Sequence, residues 1–278
     1  MSATSTPRLK APSGACDTHM HFYNSAYKPS AKAWLFPPDF LLPAYRKVQQ
    51  RLGLQRMVLV QPATYGFDNS CILDAADEIG DDARAVVTVP ISISDSELDA
   101  LWKRGARGIR FHQMRGGVME WRELPIMADR LAGSGWHVQV QLDGMELPQY
   151  EKLIGDLHGT VVIDHMGRFS QPVSPDHEVF LSLLRLAAQE NVYVKMSGAY
   201  HISKVGGPDY PDVVPLATAL TRQSTERLLW ASDWPHPTHL NEHAPDDANL
   251  LDFLLACTDT DADRKAILVD NPARLYGY

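Results

Sequence analysis

Val161-Val162-Ile163-Asp164-His165 (VVIDH) runs through three β-branched residues straight into an acid and a histidine, with no alternation of polar and apolar positions. Met57-Val58-Leu59-Val60-Gln61 (MVLVQ) repeats the pattern earlier in the chain. A strand with water on one face alternates, whereas one that is apolar at every position is buried on both, as parallel strands between helices are. Working outward gives eight such runs, over 15–22, 56–61, 83–90, 108–112, 137–142, 160–164, 192–197 and 228–232. Amphipathic stretches between them read as helices over 40–52, 70–79, 95–104, 122–132, 147–157, 175–189, 211–223 and 247–257, with a final helix near 261–269. Asp95 and Glu97 give the third of these an acidic first turn, and Gly105 follows its end. Alternating strands and helices predict a parallel α/β sheet, and eight repeats predict its closure into a single (β/α)8, TIM-like barrel.

With 278 residues, 45% hydrophobic and 22% charged, the composition is that of a globular chain with a sizeable core. No Gly/Ser-rich or charged linker divides it, so a single domain is expected over 15–278, preceded by an N-terminal extension over 1–14. A formal charge of -8 without a basic run gives no footprint for nucleic acid or an anionic membrane surface. No apolar run approaches the roughly 20 residues that span a bilayer, and the opening MSATSTPRLKAPSGA lacks the apolar core of a secretory signal. Cys16, Cys71 and Cys257 are odd in number and lack paired spacing, which reads as buried free thiols in a reducing compartment. A cytoplasmic protein is expected, with homo-oligomerisation left open.

In a barrel of this kind, catalytic groups sit where strands end and βα loops begin. The first strand supplies Asp17-Thr18-His19-Met20-His21, in which alternation sends His19 and His21 to the same side. The fourth ends in Arg110-Phe111-His112, the fifth carries Gln139 and Gln141, the sixth ends in Asp164-His165 and the eighth in Ser232-Asp233-Trp234-Pro235-His236. An isolated His-x-His is more often structural than functional. Histidines and an aspartate at several strand ends are different, because a closed barrel makes them converge.

DTHMH (17–21), VIDHMGR (162–168) and ASDWPHP (231–237), with RLGLQRMVLVQP (51–62), DNS (68–70), GARGIRFH (105–112) and NPARLYG (271–277), resemble the lactonase branch of the amidohydrolase superfamily, typified by 2-pyrone-4,6-dicarboxylate lactonase. The resemblance extends over about residues 14–277 and implies a lactone-opening activity on the barrel that the strand pattern predicts. Ester hydrolysis needs an activated water, a stabilised oxyanion and a proton for the leaving oxygen. Asp233 is assigned as the general base, with His19, His21 and His165 orienting the water and polarising the carbonyl. Metal-dependent members of the superfamily add histidines after the fifth and sixth strands or a lysine after the fourth. Here the fifth strand offers Gln139 and Gln141, His137 lies at its far end, and His112 is not a usual ligand. The resemblance therefore implies hydrolysis without a cofactor; the alternative is one divalent metal, zinc, on His19, His21, His165 and Asp233.

Around the expected mouth, Arg110, Arg115 and Arg168 offer guanidinium forks for a carboxylate. Thr64, Asn69, Gln141, Tyr200, His201 and His236 complete the expected substrate pocket, while Trp34 and Trp234 read as packing, and residues 27–36 as part of a lid. Gln141 replaces a carboxylate-binding tyrosine of the pyrone lactonases, and His201 aligns with an arginine. VQVQLDG (138–144) and MSGAY (196–200) are closer to relatives acting on sugar-acid lactones, including galactarolactone isomerase. In that isomerase the last-strand aspartate and the first histidine are replaced; Asp233 and His19 are present here, so hydrolysis is expected over isomerisation. The expected substrate is a small carboxylated lactone of pyrone-dicarboxylate, muconolactone or aldarolactone type. A metal-dependent decarboxylase or amidase, a lactone isomerase, and a silent binding protein are the competing readings.

Overall fold

The eight apolar runs become eight strands in a computed structural model that describes residues 5–240 and 244–278. They are β1 (Cys16–Met20), β2 (Arg56–Val60), β3 (Ala83–Val87), β4 (Ala106–His112), β5 (His137–Gln141), β6 (Thr160–Ile163), β7 (Val192–Met196) and β8 (Leu228–Trp230). Each pairs in parallel with the next, in the order of the chain. The seam between β8 and β1 is closed just beyond the end of β8, where Asp233 N donates to His19 O at 2.9 Å and His21 N donates to Trp234 O at 2.8 Å. The chain is thus a (β/α)8 barrel.

Among the described residues eleven helices surround the strands: α1 (Leu42–Leu52), α2 (Ser70–Ile79), α3 (Asp95–Lys103), α4 (Glu123–Leu131), α5 (Leu147–Gly155), α6 (Glu178–Ala187), α7 (Ala199–Ile202), α8 (Val214–Ser224), α9 (Asp247–Cys257), α10 (Asp261–Lys265) and α11 (Asn271–Tyr276). The acidic start at Asp95 is a capping box: Ser94 accepts from the Glu97 backbone, and the Glu97 side chain accepts from that of Ser94. α7 falls where the sequence showed only a loop, and the single final helix expected over 261–269 is two helices joined by a π-helical turn, Ala266–Asp270. Pro272 has no N–H for a continuing α ladder but fits the first turn of α11.

Side-chain alternation divides the core. Met57 and Leu59 of β2 join the large cluster between sheet and helices; Val58 and Val60 join a smaller one with Cys16, Val86, Val162, Tyr193, Leu229 and Tyr276 inside the barrel. In register with Val162 and Tyr193, β5 and β4 place Gln139 and Arg110, and two residues beyond Val162 and Tyr193 come Asp164, just past β6, and Lys195; all four are buried. The interior therefore changes from apolar to polar toward the C-terminal ends of the strands, where the functional residues were expected. The N-terminal extension, of which residues 1–4 lie outside the described residues, is held to α9: Ser5 N and Oγ donate to Asp246 at 2.8 Å, and Leu9 N to Asp252 at 2.8 Å. The three cysteines are free and buried, and among the described residues no helix is long and apolar enough to cross a membrane.

Candidate active site

Register irregularity in β1 lies between Asp17 and Met20, beside the two histidines, as bulges next to functional sites commonly do. Asp17 anchors this end: it accepts from Ser232 N at 3.0 Å, from the Tyr45 hydroxyl at 2.8 Å, and from the Ser232 hydroxyl. These bonds tie the start of the His-x-His segment to the segment that carries Asp233. Burial pushes the Asp17 carboxyl up to about 6, against those hydrogen bonds. Asp233 (φ 62°) and His165 (φ 53°) are both in the left-handed region, which costs a non-glycine residue on the order of 1–2 kcal/mol. Such conformations persist where the surroundings over-determine them. One such surrounding is Gly198 (φ 67°), where a Cβ would lie 2.9 Å from His165 Cβ; only glycine lets the β7 loop approach His165 so closely.

These elements assemble the four expected catalytic residues around one carboxylate. Oδ1 of Asp233 lies 3.4 Å from His21 Nε2, 3.8 Å from His19 Nε2 and 3.9 Å from His165 Nε2. Oδ2 is held from behind by the Tyr200 hydroxyl at 2.5 Å and by His201 Nε2 at 3.2 Å. Burial opposes ionisation of Asp233, yet its histidine neighbours, His165 first, and the N–H donor of His201 hold its carboxyl well below the usual range. Burial pushes His19 and His165 well below the ordinary histidine value, and His201 down to about 4. At neutral pH His19, His165 and His201 are therefore neutral imidazoles beside an ionised Asp233.

The cavity above this group has a volume of about 290 Å³ and is lined by His21, His165 and Asp233 on its floor and by Arg110, Arg115 and Arg168 on its walls. Thr64, Gln141 and His201 also line it. Arg110 donates to Gln61 O at 2.7 Å and to Gln141 Oε1, while its Nε has no hydrogen-bond partner. Arg115 lies over the Trp34 ring at 4.9 Å, and Arg168 Nη1 meets only the Met114 sulfur at 3.1 Å. Neither has a carboxylate partner among the described residues. Trp34 and Leu35 line the cavity mouth, placing part of the 27–36 segment there.

Three expected pocket residues are elsewhere. Asn69 spends its side chain on Thr88 N and O at 2.9 Å each, joining the β2 and β3 loops. His236 lies behind the site, 2.9 Å from Asp247 Oδ1. Tyr200 reaches Asp233 rather than the cavity wall, because α7 turns it back toward the end of β8.

The amidohydrolase family model (Amidohydro_2) matches residues 16–278, nearly the entire chain. This chain belongs to the amidohydrolase family. It is 37% identical to a 2-pyrone-4,6-dicarboxylate hydrolase of Comamonas testosteroni over 98% of this chain and 93% of that one. It is 34% identical to a 4-sulfomuconolactone hydrolase of Rhizobium radiobacter, over 96% and 91%. A crystal structure from Agrobacterium tumefaciens, determined in its apo form, superposes with a TM-score of 0.91 at 30% identity, covering 98% of both chains.

In this amidohydrolase the donors fit a metal as well as a hydrogen-bonded site. His19, His21 and Asp233 bring one ligand atom each within 4.8 Å of one another. His19 Nε2 is 3.3 Å from His21 Nε2, and His21 Nε2 is 3.4 Å from Asp233 Oδ1. Ligand atoms about 2.1 Å from a tetrahedral zinc would be roughly 3.4 Å apart. His21 Nδ1 donates to Val60 O at 2.7 Å, which leaves Nε2 as a lone pair facing the site, as a ligand or an acceptor requires.

The residue that sequence reasoning missed is Lys195. It is fully buried in β7, with Nζ 2.8 Å from Thr18 O, 2.8 Å from Gln139 Oε1 and 3.3 Å from His19 Nδ1. Burial lowers its ammonium to about 8. A lysine inside the apolar run Val192-Tyr193-Val194-Lys195-Met196 was the available signal, since buried lysine is almost never unpaired. Asp164, read only as a neighbour of His165, is its counterpart, with Oδ1 3.7 Å from Nζ and 3.2 Å from His19 Nδ1.

Proposed function

We propose that this amidohydrolase opens the ring of a small lactone bearing at least one carboxylate, using water activated by Asp233. The observation that carries the reading is the arrangement of Asp233: Oδ2 is occupied by Tyr200 and His201, and Oδ1 faces three imidazoles on the floor of a cavity with two unpaired guanidinium groups in its walls. Its relatives named as hydrolases of a pyrone dicarboxylate and of a sulfomuconolactone act on lactones that carry anionic groups, which supports the same substrate class here.

The steps follow from the chemistry of an ester. Asp233 Oδ1 takes a proton as a water oxygen bonds to the acyl carbon, and the carbonyl oxygen becomes an oxyanion. His165 Nδ1 lies 2.8 Å from the Ser197 hydroxyl; with that hydroxyl donating, the imidazole proton sits on Nε2 and faces the developing charge. Collapse breaks the ring C–O bond, and Asp233 returns its proton to the leaving oxygen. Arg115 and Arg168 hold the carboxylate that fixes the ring. A divalent metal, were one bound, would be held by His19, His21 and Asp233 and would supply Lewis-acid polarisation of the carbonyl. The site serves hydrolysis without it, because the Asp233 carboxylate is ionised and the His165 Nε2–H is already aimed at the developing charge.

Proton release in weak buffer from metal-free protein, against pyrone-dicarboxylate, muconolactone and aldarolactone panels, tests the reading. Turnover that is unaffected by zinc, and that falls ~100-fold or more in Asp233→Asn with the fold retained, is expected. Activity appearing only with zinc, or surviving that substitution, would overturn it.

A further inference from the structure

His19 is fully buried, and its two ring nitrogens have different surroundings. Nε2 faces His21 Nε2 at 3.3 Å. Nδ1 faces groups of opposite demand: Asp164 Oδ1 at 3.2 Å, which can only accept, and two donors, Lys195 Nζ at 3.3 Å, which as ammonium can only donate, and the Gln139 amide nitrogen at 3.5 Å. A neutral imidazole carries one proton, so Nδ1 serves either the acceptor or the donors and not both.

The rest of the network decides between them. His21 Nδ1 donates to the Val60 carbonyl, so His21 Nε2 is an acceptor and calls for a donor at His19 Nε2. Lys195 has three N–H groups: two go to Thr18 O and Gln139 Oε1, and the third is left for His19 Nδ1. Gln139 donates its amide N–H to Asp164 Oδ2 at 3.1 Å, and the Arg110 guanidinium is an ion-pair partner 3.8 Å from the same oxygen, so Asp164 has a donor and a counter-charge without His19.

We propose that Lys195 is a positioning residue that holds His19 in the Nε2-protonated tautomer, so that the His19–His21 contact is a hydrogen bond rather than a pair of metal-ready lone pairs. This deepens the metal-free reading above and rests on it for its functional meaning. Without Lys195, Asp164 takes the Nδ1 proton. The Nε2 lone pairs of His19 and His21 then face Asp233 Oδ1 together, at distances of 3.8 and 3.4 Å. One buried lysine outside the reacting atoms thereby sets the preference of the site for a proton or for a metal.

Long-range 1H–15N spectra of metal-free, 15N-labelled protein read the tautomer directly, with His19 assigned by the signals lost in His19→Gln. Wild type is expected to show the Nε2–H form, and Lys195→Met the Nδ1–H form with zinc bound ~10-fold or more tightly, measured against a chromophoric chelator. The tautomer separates this mechanism from simple loss of a nearby positive charge, which would tighten zinc without moving the proton. Asp164→Asn is the second variant, informative even if Lys195→Met does not fold: it should keep Nε2–H and weaken zinc. An Nδ1–H wild type, an unchanged tautomer in Lys195→Met, or a switch to Nδ1–H in Asp164→Asn overturns the proposal. The expected tautomers together with zinc-dependent wild-type turnover would support it while overturning the metal-free hydrolysis.

Discussion

The Tyr200 hydroxyl lies 2.5 Å from Oδ2 of Asp233, whose side chain is buried while that of Tyr200 is half-buried. Together with His201 this bond leaves the carboxylate one oxygen for chemistry and fixes where that oxygen points. A hydrogen bond to a charged group contributes about 1.5–3 kcal/mol. Tyr200→Phe should therefore lower kcat by roughly 10- to 100-fold with little change in KM. Steady-state kinetics on the best lactone check this, and a fall of less than threefold would show that His201 alone positions the carboxylate proposed as the base.

Arg168 separates binding from chemistry. Its Nη1 meets a thioether and its Nε has no partner, so on the proposed function a substrate carboxylate would be the acceptor it lacks. Arg168→Met should raise KM for carboxylated lactones by ~10-fold or more while kcat changes little, and should leave an uncharged lactone of the same ring unaffected. Equal losses on both substrates would assign Arg168 to holding the loop.

Gly198 tests the conformation of His165. Alanine there would meet His165 Cβ at 2.9 Å and would itself sit at φ 67°. Gly198→Ala is expected to lower stability by ~1–2 kcal/mol and to reduce kcat, since the strain can be relieved only by moving the β7 loop or His165. Denaturant melts and kinetics measured together check it, and full activity with unchanged stability would show that the two segments separate freely.

His137 supplies a pH dependence away from the reacting groups. It is buried, neither ring nitrogen has a hydrogen-bond partner, and burial lowers its value from 6.5 to about 3. Between those values the unfolded chain binds a proton that the folded chain refuses, so stability contributed above pH 6.5 is lost as the pH falls toward 3. Over the interval from neutral pH to about pH 5 the loss is about 2 kcal/mol. His137→Leu should remove it, with wild type and variant differing in urea melts at pH 5 by that much more than at pH 7. Parallel pH profiles would rule it out.

The barrel was legible because its cause is local: strands such as MVLVQ and VVIDH must be buried on both faces, and eight of them separated by amphipathic helices close on themselves. The meeting of His19, His21, His165 and Asp233 was legible for the same reason, as each follows an apolar run and strand ends converge. Asn69 and His236 were misplaced because the direction of a loop side chain depends on its partner, here Thr88 and Asp247, and not on its distance from a strand.

Residue types and the strand-end rule, both properties of the chain, determined the fold and the principal chemical groups. Tertiary structure alone decided that Tyr200 and His201 serve Asp233 and that Lys195 and Asp164 compete for one nitrogen of His19. The physical reason is that hydrogen-bond direction, tautomer and desolvation arise from groups far apart in sequence, and they acquire values only when the closed barrel presses those groups together and excludes water.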